Sequence, residues 1–381
     1  MLIVKPVALK LEIRRETDES YNNENSLYGT VVMMSRKLAG YGIAGLLLLL
    51  LTLLVCLGIG SVHLPVQEIG AMLLHKLPWI GDSIAPNWEM ASEQIIMKVR
   101  LPRILLGMLV GASLAVAGAA FQGVLRNPLA DPFTLGVSSG SSLGAAFLIF
   151  YGLQYSFAGA WTLPLVAFMT GILTLWIVLL LAKDNGKIPT HGLILSGVIM
   201  QSFLGAAVSF LTVMSKDTLT DILFWTMGSL SMRGWTYIIV LFPYFIIGFL
   251  YLWSRARMLN LLSLGERQAA HMGLNVDRLK SSVLIVATLL TAAAVSVSGV
   301  IGFVGLVVPH MIRLVTGSDY RVIIPLSALG GAIFMIWSDT AARTLLSPTE
   351  IPIGVVTAFV GAPFFAYLLY RNKKQRKEGT L

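Results

Sequence analysis

The chain has 381 residues, 56% of them hydrophobic and only 12% charged, with a mean hydropathy of +0.79. Water-soluble domains carry about 25% charged residues, which excludes that class, and the single cysteine, Cys56, excludes an intrachain disulfide framework and argues against a cysteine-rich metal site. The net charge of +9 does not mark a nucleic-acid binder, because Lys and Arg border the apolar runs instead of forming a stripe with interleaved aromatics. The composition is that of an all-α polytopic membrane protein.

Residues 1–37 read as a polar N-terminal tail, too poor in apolar side chains between Glu12 and Asn25 to bury itself. It is not expected to be a signal peptide, since its charged stretch is long and no cleavage pattern follows the apolar run. Met33-Met34, just before Ser35-Arg36-Lys37, leaves a second translation start open. A transmembrane domain is expected over 38–371, and a spanning helix needs roughly 20 residues. The candidates are 43–60, 104–124, 133–152, 161–182, 190–214, 236–255, 281–299, 301–316, 322–346 and 353–370. The apolar stretch from Ser281 to Thr316 is too long for one span, and Gly299, Gly302 and Gly305 allow it to divide. Arg36-Lys37 precedes the first span and a basic tail, 372–381, follows the last. Basic flanks mark the cytoplasmic side, so both termini are expected there, and an even number of spans, about ten, follows.

Three segments outside the spans carry information. The stretch 61–99 is expected outside, with Trp79, Asp82, Trp88, Glu89 and Glu93. Asp217 to Arg233, also outside, reads as a short amphipathic helix lying on the membrane. The one long inside loop is 257–280, where Gly265 and Gly273 bracket about two turns of helix formers and Asn275 follows as a stop signal. That shape suits docking, and it contains no catalytic grouping. Arg100 and Arg103 stand at the mouth of the second span with Pro102 in its first turn, a place proline tolerates. Two cations beside the positive end of a helix dipole are unfavourable, which points to an acidic partner or lipid phosphate outside the helix. Gly107-x-x-x-Gly111 and Gly136-x-x-x-Gly140-x-x-x-Gly144 let backbones approach closely, within the chain rather than between chains. Ser138, Ser139, Ser141 and Ser142 add hydroxyls that could bond across helices or line a wet cavity.

Arg100-Leu-Pro-Arg103, Gly111-Ala-Ser-Leu-Ala-Val-Ala-Gly118, Asn127-Pro-Leu-Ala-Asp-Pro132 and Leu135-Gly-Val resemble the permease subunits of iron-siderophore and cobalamin ABC importers. So do Leu264-Gly-Glu-Arg-Gln-Ala-Ala-His-Met-Gly273, Gly302-Phe-Val-Gly-Leu-Val-Val-Pro-His310 with Arg313, and Ile351-Pro-Ile-Gly-Val-Val-Thr357 with Gly361-Ala-Pro363. The matches run in the family's order from about residue 95 to 370, and the N-terminal tail has no counterpart. The resemblance implies the type II ABC importer architecture in the cytoplasmic (inner) membrane. A second permease, identical or not, would complete a pathway, with two ATPase subunits beneath and an extracytoplasmic binding protein above. No Walker A sequence occurs in the chain, so ATP would be hydrolysed by a partner. By the resemblance, Leu264, Gly265, Glu266, Ala269 and Gly273 couple to the ATPase, and Arg100, Arg103 and Arg343 face acidic residues of the binding protein. Arg343 has a rival partner in Asp339, four residues before it on one helical face. Asn127, Leu129, Thr190 and His191 would form the cytoplasmic gate, although their turns also read as plain breaks between spans.

Rival functions have weaker support. A secondary transporter needs ionisable groups near mid-membrane, and the spans are nearly free of them, with His310, Arg313 and Asp339 expected nearer span ends and His310 as a helix-end residue. An intramembrane metalloprotease would need clustered ligands such as His-Glu-x-x-His, whereas the five histidines, His63, His75, His191, His271 and His310, are scattered. No catalytic residue, metal site or cofactor is expected. Ferric siderophore is the favoured cargo because that branch of the family is commoner, with cobalamin or haem as alternatives.

Overall fold

The computed structural model describes residues 38–377 apart from 61–63, 77, 80–82, 84–85 and 185–187, and excepting the side chains of 369 and 372–377. The predicted N-terminal tail and Asp82 therefore lie outside the described residues. The chain divides into residues 1–46 and 47–381; of the first, only the start of one helix is described.

Helices follow one another throughout. In order they are α1 (Leu38–Gly58), α2 (Val66–His75), α3 (Met90–Gln94), α4 (Leu101–Leu125), α5 (Val137–Phe150), α6 (Thr162–Ala182), α7 (Thr190–Met214) and α8 (Leu219–Met227). Then come α9 (Trp235–Ser254), α10 (Ala256–Ser263), α11 (Glu266–His271), α12 (Val276–Ser298), α13 (Val304–Thr316), α14 (Tyr320–Thr344) and α15 (Ile353–Lys377). Among the described residues, seven helices are long and apolar enough to cross a membrane, and Val137–Phe150, Val304–Thr316 and Ile353–Leu368 are shorter apolar helices. Each coincides with one expected span. The final helix continues to Lys377, so most of the expected basic tail extends a helix.

The second span begins earlier than expected. α3 runs through a π-helical segment, Ile95–Arg100, directly into α4, giving a 36-residue helix from Met90. Pro102 therefore lies inside a continuous helix, where it lacks a donor and crowds the preceding turn. The wider π turn before it absorbs that conflict, as π-bulges commonly do. Arg100 and Arg103 are consequently in the third and fourth turns, not at a helix mouth, and the dipole argument built on their position lapses.

α4 is the central strut: 89% of its most apolar stretch is buried, against 17% for α9. Small residues permit this. A Cβ on Gly111 would collide with the Gly331 carbonyl of α14, and one on Gly118 with Gly305 at the start of α13. The glycine stripe of α5 works in the same way, with Gly140 and Gly144 against Thr174 and Thr170 of α6, while Gly136 precedes the helix as its left-handed cap. These packings are intramolecular, as expected.

The stretch 281–316 divides where its glycines allow, α12 ending at Ser298 and α13 starting at Val304. His310 lies mid-helix in α13 with its ring 5.7 Å from Phe365, which corrects the helix-end reading. α8 does form, but Ile222 and Trp225 are buried with Ala145, Ile149, Ala167 and Val295, so it packs on the bundle by one face. At about 1.5 Å per residue, α5 and α13 are only about 21 and 20 Å long, short of a hydrocarbon core of about 30 Å. Both start from irregular backbone, 126–136 and 299–303. The first is held by Asp131, whose side chain accepts from the Phe133 N–H at 2.9 Å. The second is held by the Ser229 N–H donating to the Ser298 carbonyl at 2.8 Å. A cavity of about 220 Å³ joins the two segments, lined by Asp131, Thr134, Gln201, Gly302 and Phe303 among others.

Candidate functional site

Polar side chains gather at two opposite ends of the bundle. At the first, Arg103 of α4 reaches α14 and the turn after it. Its Nε donates to Asp339 Oδ1 and Oδ2 at 3.0 and 3.1 Å, and its Nη1 and Nη2 donate to the Glu350 carboxylate at 2.8 and 3.1 Å. Planar guanidinium matches two carboxylates in this forked way, and such charge-assisted bonds are stronger than neutral ones. Arg343 donates to the Cys56 carbonyl at 2.6 Å and lies 3.8 Å from Asp339, an ion pair too long for a hydrogen bond. Arg100 donates from Nη1 to the Leu57 carbonyl at 2.7 Å. The three arginines thus tie α1, α4, α14 and the turn 345–352 together.

This corrects their expected exposure. Arg100 is 5% exposed, and the Arg103 and Arg343 side chains 11% and 10%. Their cationic heads find partners inside the chain, as a buried charge must to avoid paying heavily in lost solvation, although Arg343 Nε makes no hydrogen bond of its own beside Asp339. Glu350 is the outermost member; burial works to raise its pKa, but the Arg103 hydrogen bonds and charge outweigh that and hold it below the ordinary carboxylate range. Asp339 was anticipated as a partner of Arg343 alone; its stronger tie to Arg103, 236 positions away in sequence, was not. The available signal was an Asp within an apolar run, which demands a partner.

At the opposite end, α10 and α11 form a helical hairpin between α9 and α12. Gly265 joins them at φ +132°, a conformation L side chains rarely adopt, and the Ala269 N–H donates to its carbonyl at 2.9 Å. Gly273 ends α11 at φ +84°. Ala269 is fully buried, while Leu264 and Met272 expose more than half their surface. Asn275 is a start signal rather than a stop: its side chain accepts from the Arg278 N–H at 3.0 Å and caps α12. Asn260 of α10 donates to Asp319 at 2.7 Å and accepts from the Tyr320 N–H at 2.9 Å, fastening the hairpin to α14. Burial works to raise the Asp319 pKa, but hydrogen bonds from Arg321 and Asn260 prevail and lower it.

The five expected coupling positions, Leu264, Gly265, Glu266, Ala269 and Gly273, therefore lie on one compact hairpin. The four gate positions divide. Asn127 makes a local turn, accepting from the Leu129 N–H at 2.9 Å, and Leu129 is exposed. Thr190 opens α7 and joins the hairpin instead, donating to Glu266 Oε1 at 3.4 Å; His191 is exposed beside it. The residue that links them, Lys280, had no sequence assignment beyond ending the loop. It donates to Glu266 at 2.7 Å and to Thr190 at 3.0 Å.

Comparison with known proteins identifies the family. The FecCD transport family matches residues 47–371. The ABC transporter permease protein YvrB of Bacillus subtilis (strain 168) is 43% identical over 343 residues, covering 90% of this chain and 96% of that protein. The cobalamin import system permease BtuC of Halobacterium salinarum is 45% identical over 314 residues, covering 79% and 81%. A solved inward-facing metal-chelate type ABC transporter superposes with a TM-score of 0.74 at 35% identity, covering 86% of this chain and 98% of the other. Other relatives are named for hemin, molybdate and Fe(3+) dicitrate. With a hairpin and central strut in place, and a family match over most of its length, the chain belongs to the FecCD transport family and is a permease of an ABC importer.

Proposed function

We propose that this permease pairs with a second permease subunit and carries a ferric siderophore across the cytoplasmic membrane. An extracytoplasmic binding protein would deliver the cargo at the arginine end, and two ATPase subunits would bind the α10–α11 hairpin at the other. Both termini are then cytoplasmic. The observation that carries this reading is the hairpin itself: its second helix is bounded by Gly265 and Gly273, and Leu264 and Met272 are exposed on a buried Ala269 footing. Exposed apolar side chains on a fixed scaffold suit insertion into a partner's groove. Asn127, Leu129, Thr190 and His191 would close the pathway near that end.

At the arginine end the proposal takes a changed form. Arg103 meets a binding protein only through the small part of its side chain that remains exposed beside Glu350, and Arg100 and Arg343 brace the rim from within. The cargo follows the iron-chelate relatives. A corrinoid is the second reading, favoured by the 45% identity to a cobalamin permease.

Two measurements test these statements. Leu264→Asp should abolish copurification of the ATPase without lowering the melting temperature in detergent; normal copurification would remove the hairpin as the docking element. Mass spectrometry of the ligand held by the copurifying binding protein should find an iron chelate. A corrinoid would select the second reading, and an oxyanion would overturn both.

A further inference from the structure

Among the described residues, Lys280 is one of the few charged side chains that are almost completely buried. Its side chain is 1% exposed, one of the largest fully buried side chains, and it sits in the second turn of α12, a helix 72% buried over its apolar stretch. Its ammonium bridges two elements far apart in sequence, Glu266 on the hairpin and Thr190 at the first position of α7. A buried ion pair gains little over an apolar residue of similar volume, so stability alone is a poor reason for a lysine here. Geometry supplies a better one, because a single atom fixes the spacing of three helices.

The electrostatics make this junction responsive. The ammonium faces the positive end of the 25-residue α7 dipole, an unfavourable position for a cation. Glu266 offsets it at 2.7 Å. The Glu266 side chain keeps 44% of its surface in solvent, so a displaced hairpin can carry it into water. Lys280 cannot follow, being held in α12. Withdrawal of the carboxylate would leave the ammonium pressing on the start of α7.

We infer that Lys280 is the positioning residue that converts movement of the α10–α11 hairpin into movement of the Thr190–His191 turn, through the Glu266–Lys280–Thr190 junction. This rests on the reading of the hairpin as the ATPase dock and of that turn as a gate. Lys280 touches neither cargo nor ATPase; it sets how much transport each ATP produces.

The test uses the complex as copurified, in proteoliposomes, with cargo uptake and ATP hydrolysis measured together. Lys280→Met fills the same slot without charge. It should leave assembly intact and hydrolysis within about twofold of the parent while uptake per ATP falls at least about fivefold. In the assembled complex, a residue serving only the fold would lower both rates together and leave uptake per ATP unchanged, and that pattern would overturn the inference. Glu266→Gln should lower uptake per ATP, and Glu266→Gln with Lys280→Met should be no worse than the lysine change alone, as one shared junction requires. Additive losses, or unchanged uptake per ATP, would also overturn it. Should Lys280→Met fail to assemble, Thr190→Val decides, with a fall in uptake per ATP supporting the junction and none refuting it. Leu264→Asp separates the two readings, because loss of ATPase binding there stands whether or not Lys280 transmits anything.

Discussion

At the arginine end, Asp339 is buried and Arg103 and Arg343 close over it, so that only Glu350 touches solvent appreciably. At the hairpin end, Glu266, Asp319 and Arg321 all keep a quarter or more of their side chains in water, and Lys280 alone is sealed. A pair with both members inside, such as Arg103 with Asp339, can change only by stranding a charge in a dry interior. One whose carboxylates reach water can open and reclose at modest cost. The first end is thus built as a clamp and the second as a joint, although both use the same residue types.

Asp339→Ala should have the largest effect. It leaves Arg103 and Arg343 without their buried anion, and breaking such a pair costs about 3–5 kcal/mol. Unfolding in detergent should show a drop of that order, and a variant as stable as the parent would mean the clamp is ornamental. Arg103→Glu belongs with it, since it sets three carboxylates together and should disrupt the fold as well as any binding-protein contact.

Gly118→Val probes the strut between the two ends. The added Cβ meets the Gly305 backbone, and overpacking of this kind typically costs about 1–3 kcal/mol. A melting temperature equal to that of the parent would show that α4 and α13 can separate, and that the ends are not rigidly connected.

Asp319→Ala is expected to cost about 1 kcal/mol, the usual value of an N-cap, because Asp319 accepts from the Arg321 N–H at 2.9 Å. Its folded pKa is lowered, so its contribution is present above the unfolded value near about 4 and is lost as pH falls through the folded value. The difference between Asp319→Ala and parent should therefore shrink as the pH is taken below about 4; a gap that widens in acid contradicts the assignment.

The smallest perturbation tests which end faces which compartment. Met232 is wholly exposed near the clamp and Met272 largely exposed on the hairpin, while Cys56 is buried. Neither Met→Cys change should alter stability. An impermeant thiol reagent should label Met232→Cys in intact cells and Met272→Cys only after the membrane is opened. The reverse pattern would invert the orientation, and labelling of both from outside would deny that these ends are opposite.

Much of this fold was legible because apolar runs of spanning length advertise themselves without any knowledge of neighbours. The division of 281–316 was readable from glycine alone, and so was close packing at Gly111. Helix starts were less legible. Nothing local distinguishes Met90 from Arg100 as the beginning of the second span, since the polar residues Glu93, Gln94 and Lys98 suggest a loop and only tertiary packing makes them helix. The arginines show the deeper limit. Periodicity revealed that Arg343 and Asp339 share a face, but Arg103 with Asp339 is a contact between helices more than two hundred residues apart, which one sequence does not encode locally. Lys280 was passed over for the same reason: at the edge of an apolar run it looks like an ordinary basic flank, and its burial is decided by α7 and α11 together.

The brevity of α5 and α13 has a consequence for hydration. A helix about 20 Å long brings its terminal N–H and C=O groups within the depth of the bilayer, where lipid offers them no partner. Such backbone is tolerated only against protein or against water. The two irregular starts, 126–136 and 299–303, converge on a small cavity lined by Asp131, Thr134 and Gln201 beside Phe133, Phe303 and Leu306, so protein supplies most of what surrounds them. The shortened helices therefore make the placing of polar groups at this depth depend on where two helices stop as well as on which side chains stand beside those stops.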